Sequence, residues 1–211
     1  MNSNYRLLAY SAAGSTLLLL SMFFVRLPAN MSYPGLELLL GDLTLSNNEV
    51  SSYFRAMQIL FVLDGLFLAA QTITWAGFCQ LIQPRNPLFS QLALLFGLLG
   101  VIMDLSENSI IWAGILNLQT GHLLVNGWGI AWKTLQHLSY IFAMIAAAIA
   151  GISLWSHKPW ERVIGLTGIL FSSFAIAGLY LPEISFLADL WYPVWFTSLA
   201  LLFWNSQEES H

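Results

Sequence analysis

Five ionisable side chains interrupt three long apolar stretches of this sequence, and their spacing points to a shared site. Within residues 101–118, Asp104, Glu107 and Asn108 occupy positions i, i+3 and i+4, so all three project from one face of a helix. Charged groups at bilayer depth are rare, and they usually face the interior of a bundle or a wet cavity. The pattern therefore predicts a place where a membrane protein binds protons, cations or polar ligands.

Two neighbouring stretches carry polar groups at the same predicted depth. Asp64 lies in the outer half of the second stretch, and Gln71, on the same helical face, is predicted to hydrogen-bond a neighbouring helix. In the fourth stretch, Lys133 and His137 are again at i and i+4, with Gln136 beside them. The candidate binding site therefore comprises Asp64, Asp104, Glu107, Asn108, Lys133, Gln136 and His137.

The charges of these residues do not balance. Three carboxylates face one ammonium group if His137 is neutral, and uncompensated buried charge costs several kcal/mol per ion. Protons on the carboxyl groups, a protonated His137, a bound cation or water entering from outside would each offset the excess. Each of these ways to balance the charge implies a different function for the protein.

Three interpretations of function follow from this cluster. In the first, an outward-facing cavity binds a small polar or amphipathic ligand, and binding is coupled to protons or cations. A transporter would also move this ligand across the membrane. Lys133 is the counter-ion of the carboxyl groups in this interpretation. In the second, a membrane-embedded enzyme acts on a lipid-like substrate, with Asp104, Glu107 and His137 exchanging protons. The same three residues together with Asp64 are the candidate ligands if that enzyme uses a metal. In the third, Lys133 pairs with Asp104 or Glu107 to fix helix register in an accessory subunit of a membrane complex.

The sequence firmly implies no cofactor. It contains no HExxH motif, no di-iron Glu-x-x-His pair within the apolar stretches and no G-x-S-x-G nucleophile elbow. Cys79 is the only cysteine, which excludes an internal disulfide and a cysteine-ligated iron–sulfur cluster. The net charge of -4, without a run of basic residues, argues against a nucleic-acid partner.

Composition identifies the elements that must position these residues. The chain of 211 residues is 57% hydrophobic and 9% charged, whereas about a quarter of the residues in a soluble domain are charged. We predict an all-α fold, a polytopic transmembrane helical bundle that forms one domain over residues 1–211 and has the lipid bilayer as its partner. The predicted spans are residues 5–25, 54–81, 88–118, 128–155, 161–181 and 190–204.

The connections between the spans have their own signals. An outer loop over residues 26–54 includes a short apolar run, 36–40, that is typical of a surface helix. Two prolines predict a turn over residues 83–87, and Pro193 is expected in the first turn of the last span. The helix of the second span is expected to start near Ser46, where Ser46 and Glu49 have the spacing of a capping box.

Packing and interface anchors are also predicted. Ala143, Ala147 and Gly151 form a stripe of small residues that lets another helix approach span four closely. Most tryptophans, including Trp75 and Trp195, lie near predicted span ends, where this residue type anchors helices at the membrane interface.

The distribution of basic residues predicts the orientation in the membrane. Arg6, Arg85, Lys158 and Arg162 lie on the side of the termini, whereas Arg26 and Arg55 lie on the other side. Because basic residues are enriched in cytoplasmic loops, we expect both termini in the cytoplasm.

Several local features resemble a known family. They are Phe54-Arg55 after the long first loop, Asp64 in span two, the Pro84-Arg85-Asn86 turn, and the sequence WERVIG at residues 160–165. In these features the chain resembles a family of uncharacterised six-span bacterial integral membrane proteins, a domain of unknown function. The resemblance implies six helices and a bacterial inner membrane, and it implies no activity.

Overall fold

The fold is helical throughout the part of the chain that the structure describes. The computed structural model describes residues 3–26, 47–119, 127–155 and 158–208. These residues form six α-helices and one short 3-10 turn, Pro182–Ile184, and no strand. The helices are α1 (Ser3–Arg26), α2 (Asn47–Ile82), α3 (Pro87–Gln119), α4 (Gly127–Leu154), α5 (Pro159–Tyr180) and α6 (Ser185–Glu208).

Each of these six described helices is long and apolar enough to cross a membrane. The shortest of the apolar segments, Tyr5–Phe24, has 20 residues, which matches the length that about 30 Å of hydrocarbon requires. The chain is therefore a multi-pass membrane protein, and the predicted bundle of six spans is confirmed.

The helices form a ring in chain order. Each helix packs against the next, and α6 returns to α1. Between α1 and α2, the Ser11 hydroxyl donates a hydrogen bond to the carbonyl oxygen of Ala70 at 2.8 Å. Between α1 and α6, the Thr16 hydroxyl donates to the carbonyl oxygen of Pro193 at 3.3 Å. Consecutive helices are antiparallel, so α1, α3 and α5 end at one end of the ring, which we call the distal end.

The backbones of α4 and α5 approach each other closely. A Cβ atom added to Gly151 would lie 2.5 Å from the carbonyl oxygen of Gly165, and the reverse substitution would place a Cβ 2.5 Å from the carbonyl oxygen of Gly151. Ala147 of the same stripe is fully buried, and its carbonyl oxygen faces Gly168. The predicted small-residue stripe is therefore confirmed as a helix-packing surface.

We expect Gly151→Ala to lower the free energy of unfolding by about 1 to 2 kcal/mol relative to Gly14→Ala, because the new methyl group overpacks the α4–α5 contact. Gly14 is the matched control, since a Cβ there would meet no atom within 4 Å, and both changes gain the same helix propensity. Denaturant titration in mild detergent measures the difference. Equal stabilities of the two variants would show that the glycine contact is dispensable.

Two tryptophans lie in the core instead of at the membrane interface. Trp75 and Trp195 are 1% and 0% exposed, so the prediction that they anchor span ends is wrong. Their rings occupy space left by glycines: a Cβ on Gly97 would lie 2.6 Å from the Trp75 ring, and one on Gly168 would lie 2.8 Å from the Trp195 ring. Hydropathy does not distinguish these positions, because the lipid and the core of a bundle are equally apolar.

The connections differ from prediction at the start of α6. The 3-10 turn leads directly into α6 at Ser185, so the helix begins before the predicted residue 190 and Pro193 lies inside it. Helix α2 begins at Asn47, as the predicted helix start near Ser46 requires, although the capping side chains themselves are outside the described residues. The predicted surface helix at residues 36–40 also lies outside the described residues.

An ion pair holds the α2–α3 turn against α5, at the end of the ring opposite the distal end. The turn over residues 83–87 is confirmed, because the backbone N–H groups of Arg85 and Asn86 both donate to the carbonyl oxygen of Ile82. The Arg85 guanidinium then donates from Nη1 to Oε1 of Glu161 at 2.9 Å. Glu161 is 1% exposed and Arg85 is 38% exposed, so the carboxylate is the buried member of the pair.

Candidate functional site

A cavity of about 570 Å³ opens inside the ring, in its distal half. All six helices contribute to its wall, so its shape depends on the whole bundle. Its polar lining consists of Asp64, Asp104, Glu107, Asn108, Gln136, His137, Ser139, Tyr140, Asp189 and Tyr192. Its apolar lining is Leu19, Met22, Met57, Leu60, Phe61, Phe67, Ile111, Ala175, Gly178, Leu179 and Ala188. We refer to it as the distal cavity.

Two of the predicted residues join α2 to α3 at the cavity wall. The Asn108 side-chain amide donates a hydrogen bond to Oδ2 of Asp64. Both side chains are partly buried, and both line the distal cavity. The bond uses a neutral donor, so it orients the Asp64 carboxyl group without cancelling its charge.

Glu107 is the most deeply placed acidic group of the wall. It is 5% exposed, and its Oε1 accepts a hydrogen bond of 2.8 Å from the indole Nε1 of Trp132, which is 4% exposed. An indole N–H can only donate, so Glu107 must present an acceptor oxygen in this arrangement. Trp132 in turn belongs to a small buried cluster with Ile111. The α3–α4 contact therefore fixes the position of Glu107.

The residues predicted on α4 separate into two groups. Gln136 and His137 line the distal cavity, whereas Lys133 is exposed and lies outside its lining. Nδ1 of His137 lies 2.6 Å from the carbonyl oxygen of Lys133, and because a carbonyl oxygen can only accept, this ring nitrogen carries the hydrogen. No described contact joins Lys133 to Asp104 or Glu107, the carboxyl groups for which it was predicted to be the counter-ion.

Asp189 is a cavity residue that the sequence analysis assigned to a connection. It lines the wall from the first turns of α6, three residues before Tyr192 on the same helical face. With Asp64, Asp104 and Glu107 it brings the carboxyl groups of the wall to four, and no lysine or arginine is among the described lining residues. The cavity is therefore more acidic than the sequence predicted.

Aromatic side chains form another part of the wall. Tyr192 stacks on Phe171 with ring centroids 4.6 Å apart and meets Phe67 edge to face at 6.0 Å. The side-chain amide of Gln71 donates to the Tyr192 hydroxyl oxygen at 2.7 Å, which confirms that Gln71 bonds a neighbouring helix. The ring of Tyr140 meets the ring of Phe171 edge to face, with centroids 6.2 Å apart. Nothing in the sequence singled out these rings, although Trp132, Gln136 and Tyr140 share the face of α4 that the cavity uses.

The acidic groups of the wall lie on α2, α3 and α6. Among the described residues, no three His, Cys, Asp or Glu side chains lie close enough together to hold a metal ion. The candidate metal ligands Asp64, Asp104, Glu107 and His137 all line the wall, but they are distributed over α2, α3 and α4.

The fold and the site define a class: a polytopic helical membrane protein whose ring of six described helices encloses an acidic, aromatic cavity in one half of its length. No known protein family, curated protein or solved structure matches the chain.

Proposed function

We propose that this membrane protein binds a small amphipathic ligand in the distal cavity. The observation that carries the proposal is the cavity itself, because about 570 Å³ falls within the range of roughly 300 to 1,000 Å³ found for small-molecule sites. Its wall combines apolar residues such as Met22 and Leu60 with nearly as many polar ones, such as Asp64 and Gln136. Ligand sites in proteins likewise combine an apolar surface with polar groups that fix the orientation of the ligand.

Binding at this site would be coupled to protons or cations. The support comes from the four carboxyl groups of the wall, because the free energy of a carboxylate in a low-dielectric interior depends strongly on the protons and cations near it. A ligand that enters the cavity changes the affinity of these carboxyl groups for protons and cations. By linkage, the binding of protons or cations changes the affinity for the ligand by the same factor. Transport of the ligand would use the same coupling, with access from the second side of the membrane.

We also propose a bacterial inner membrane with both termini in the cytoplasm. The support comes from the excess of basic residues beside the termini and from the resemblance to six-span bacterial proteins. In that orientation the distal cavity faces the outer half of the bilayer.

A photoreactive, neutral ligand tests the binding proposal. A medium-chain alcohol that carries a diazirine is expected to label peptides of the cavity wall in protein purified in a maltoside detergent. Ala188→Phe fills the cavity from a fully buried position and is expected to reduce this labelling several-fold. Ala69→Phe makes the same change at an exposed position of α2 and should leave the labelling unchanged.

Folding is checked by size-exclusion chromatography and by the thermal unfolding midpoint of each variant. Gly178→Phe, from α5, provides a second way to fill the cavity if Ala188→Phe does not fold. Labelling of cavity peptides that is equal in all three variants, or labelling confined to lipid-facing side chains, would contradict the proposal.

A further inference from the structure

We infer that the ligand of the distal cavity is an organic ammonium ion with a hydrocarbon portion. The inference rests on the proposed function, because it specifies the chemical class of ligand for that same cavity. It is carried by three properties of the wall: the sign of its charge, the spacing of its acidic groups and its aromatic surface.

The sign of the charge excludes an anionic ligand and favours a cation. Asp64, Asp104, Glu107 and Asp189 supply four carboxyl groups, while His137 is the only basic side chain of the described lining. An anion placed here would be repelled by these carboxyl groups in a medium of reduced dielectric constant, whereas a cation would be attracted to them.

The spacing of the carboxyl groups selects an organic cation over a bare metal ion. A calcium or magnesium site needs about six oxygens at roughly 2.0 to 2.6 Å from one point. Within the described part of the chain, the acidic and histidine side chains form no such group of three. Three of the carboxyl groups lie on the neighbouring helices α2 and α3, and the fourth lies on α6. An ammonium ion that carries alkyl groups spreads its charge over a volume that several of them can face.

The aromatic surface adds a second attraction for the same class of ligand. Phe61, Phe67, Tyr140 and Tyr192 all line the cavity. A cation near an aromatic ring is attracted by the ring's electron density, and rings of this kind recognise alkylated ammonium ions in many proteins. Tyr192 is held in place by its stack on Phe171 and by the Gln71 amide, so it is positioned before a ligand arrives. A neutral ligand would use the apolar wall but neither of these features.

Three matched photoreactive probes test the inference. Each is an alkyl diazirine of the same chain length, and the chains end in a trimethylammonium group, in the isosteric tert-butyl group or in a sulfonate. In a maltoside detergent, whose head group is uncharged, we expect the ammonium probe to label cavity peptides about tenfold more than the tert-butyl probe, as one desolvated cation–π contact can supply. We expect the sulfonate probe to label them least.

The carboxyl groups are tested with two variants. Asp104→Asn combined with Asp189→Asn removes two charges of the wall and should abolish the preference for the ammonium probe while leaving the tert-butyl labelling in place. Glu183→Gln is the matched control: it removes one exposed carboxyl group from the 3-10 turn near Asp189, outside the cavity lining, and should keep the preference. The comparison of probes on the unmodified protein requires no variant, so the inference remains testable if the double variant does not fold.

The outcomes separate the inference from the proposed function. If the tert-butyl and alcohol probes label the cavity and the ammonium probe shows no preference, the ligand class is wrong and the binding proposal stands. If no probe labels cavity peptides, both fail. If the double variant is still labelled more by the ammonium probe than by the tert-butyl probe, the preference arises at the detergent surface and not from the carboxyl groups. That result would overturn the inference.

Discussion

Replacement of Arg85 by methionine is expected to lower the free energy of unfolding by about 3 kcal/mol, the lower end of the range for breaking a buried ion pair. Methionine keeps the length of the side chain but removes the positive charge. Glu161 would then hold a carboxylate at 1% exposure without its guanidinium partner. Among the described residues, Oε2 of Glu161 has no hydrogen-bond partner, so the contact of Oε1 with Arg85 is the main compensation for this buried charge.

A double-mutant cycle separates the cost of an unpaired charge from the loss of a useful contact. Glu161→Leu alone should cost less than Arg85→Met, because the partly exposed Arg85 can turn its guanidinium to water. The combined variant should be more stable than Arg85→Met alone, since no buried carboxylate remains. Denaturant titration in mild detergent provides the four values. A stability of Arg85→Met within about 0.5 kcal/mol of the unmodified protein, as for an ordinary surface change, would refute this account.

Trp132→Phe is expected to lower the free energy of unfolding by about 2 kcal/mol, the scale of a hydrogen bond to a charged group. Phenylalanine keeps most of the ring but loses the indole N–H that donates to Glu107 at 2.8 Å. Because Glu107 is 5% exposed, its oxygen cannot recover that donor from bulk water without a rearrangement of the wall. Trp155→Phe, at a 52% exposed ring, is the control and should have little effect on stability.

The charge of Glu107 decides how much this hydrogen bond contributes. In a Glu107→Gln background the acceptor is a neutral amide oxygen, so Trp132→Phe should cost about 1 kcal/mol. The difference between the two costs is the coupling energy between the residues, and thermal or denaturant unfolding in detergent measures it. A coupling energy near zero would mean that the indole is held by packing with Ile111 alone and does not position the carboxyl group.

Much of the site could be predicted because its depth follows from position along each helix. Asp64, Asp104, Glu107, Asn108, Gln136 and His137 were expected at one level of the bundle, and all six line the distal cavity. Depth needs only the rise per residue and the boundaries of the spans, which apolar runs and prolines define well. For the same reason the six helices and the turn at residues 83–87 were predicted correctly.

Rotation about the helix axis was harder to predict. Lys133 and His137 share one helical face by their spacing, yet only His137 lines the cavity, together with Gln136 and Tyr140 of the same helix. In a membrane both the core and the lipid side of a helix are apolar, so composition gives little information on which face is buried. That ambiguity also explains why Trp75 was placed at the interface when it lies in the core.

Asp189 was missed for a different reason. The last span was predicted to begin at residue 190, with Pro193 in its first turn, so residue 189 was placed in the connection before it. The 3-10 turn shortens that connection, and α6 begins at Ser185. Asp189 therefore enters the wall about one helical turn inside the helix, three residues before Tyr192.

The circular order of the helices also determines when the cavity can exist during synthesis. The contacts between consecutive helices can form as each helix leaves the ribosome, because both partners are then already present. The α1–α6 contact joins the first of these helices to the last. The hydrogen bond from Thr16 to Pro193 can therefore form only after α6 has been synthesised. Until then the wall lacks Asp189 and Tyr192. A nascent chain therefore has no complete distal cavity until its last described helix has been inserted.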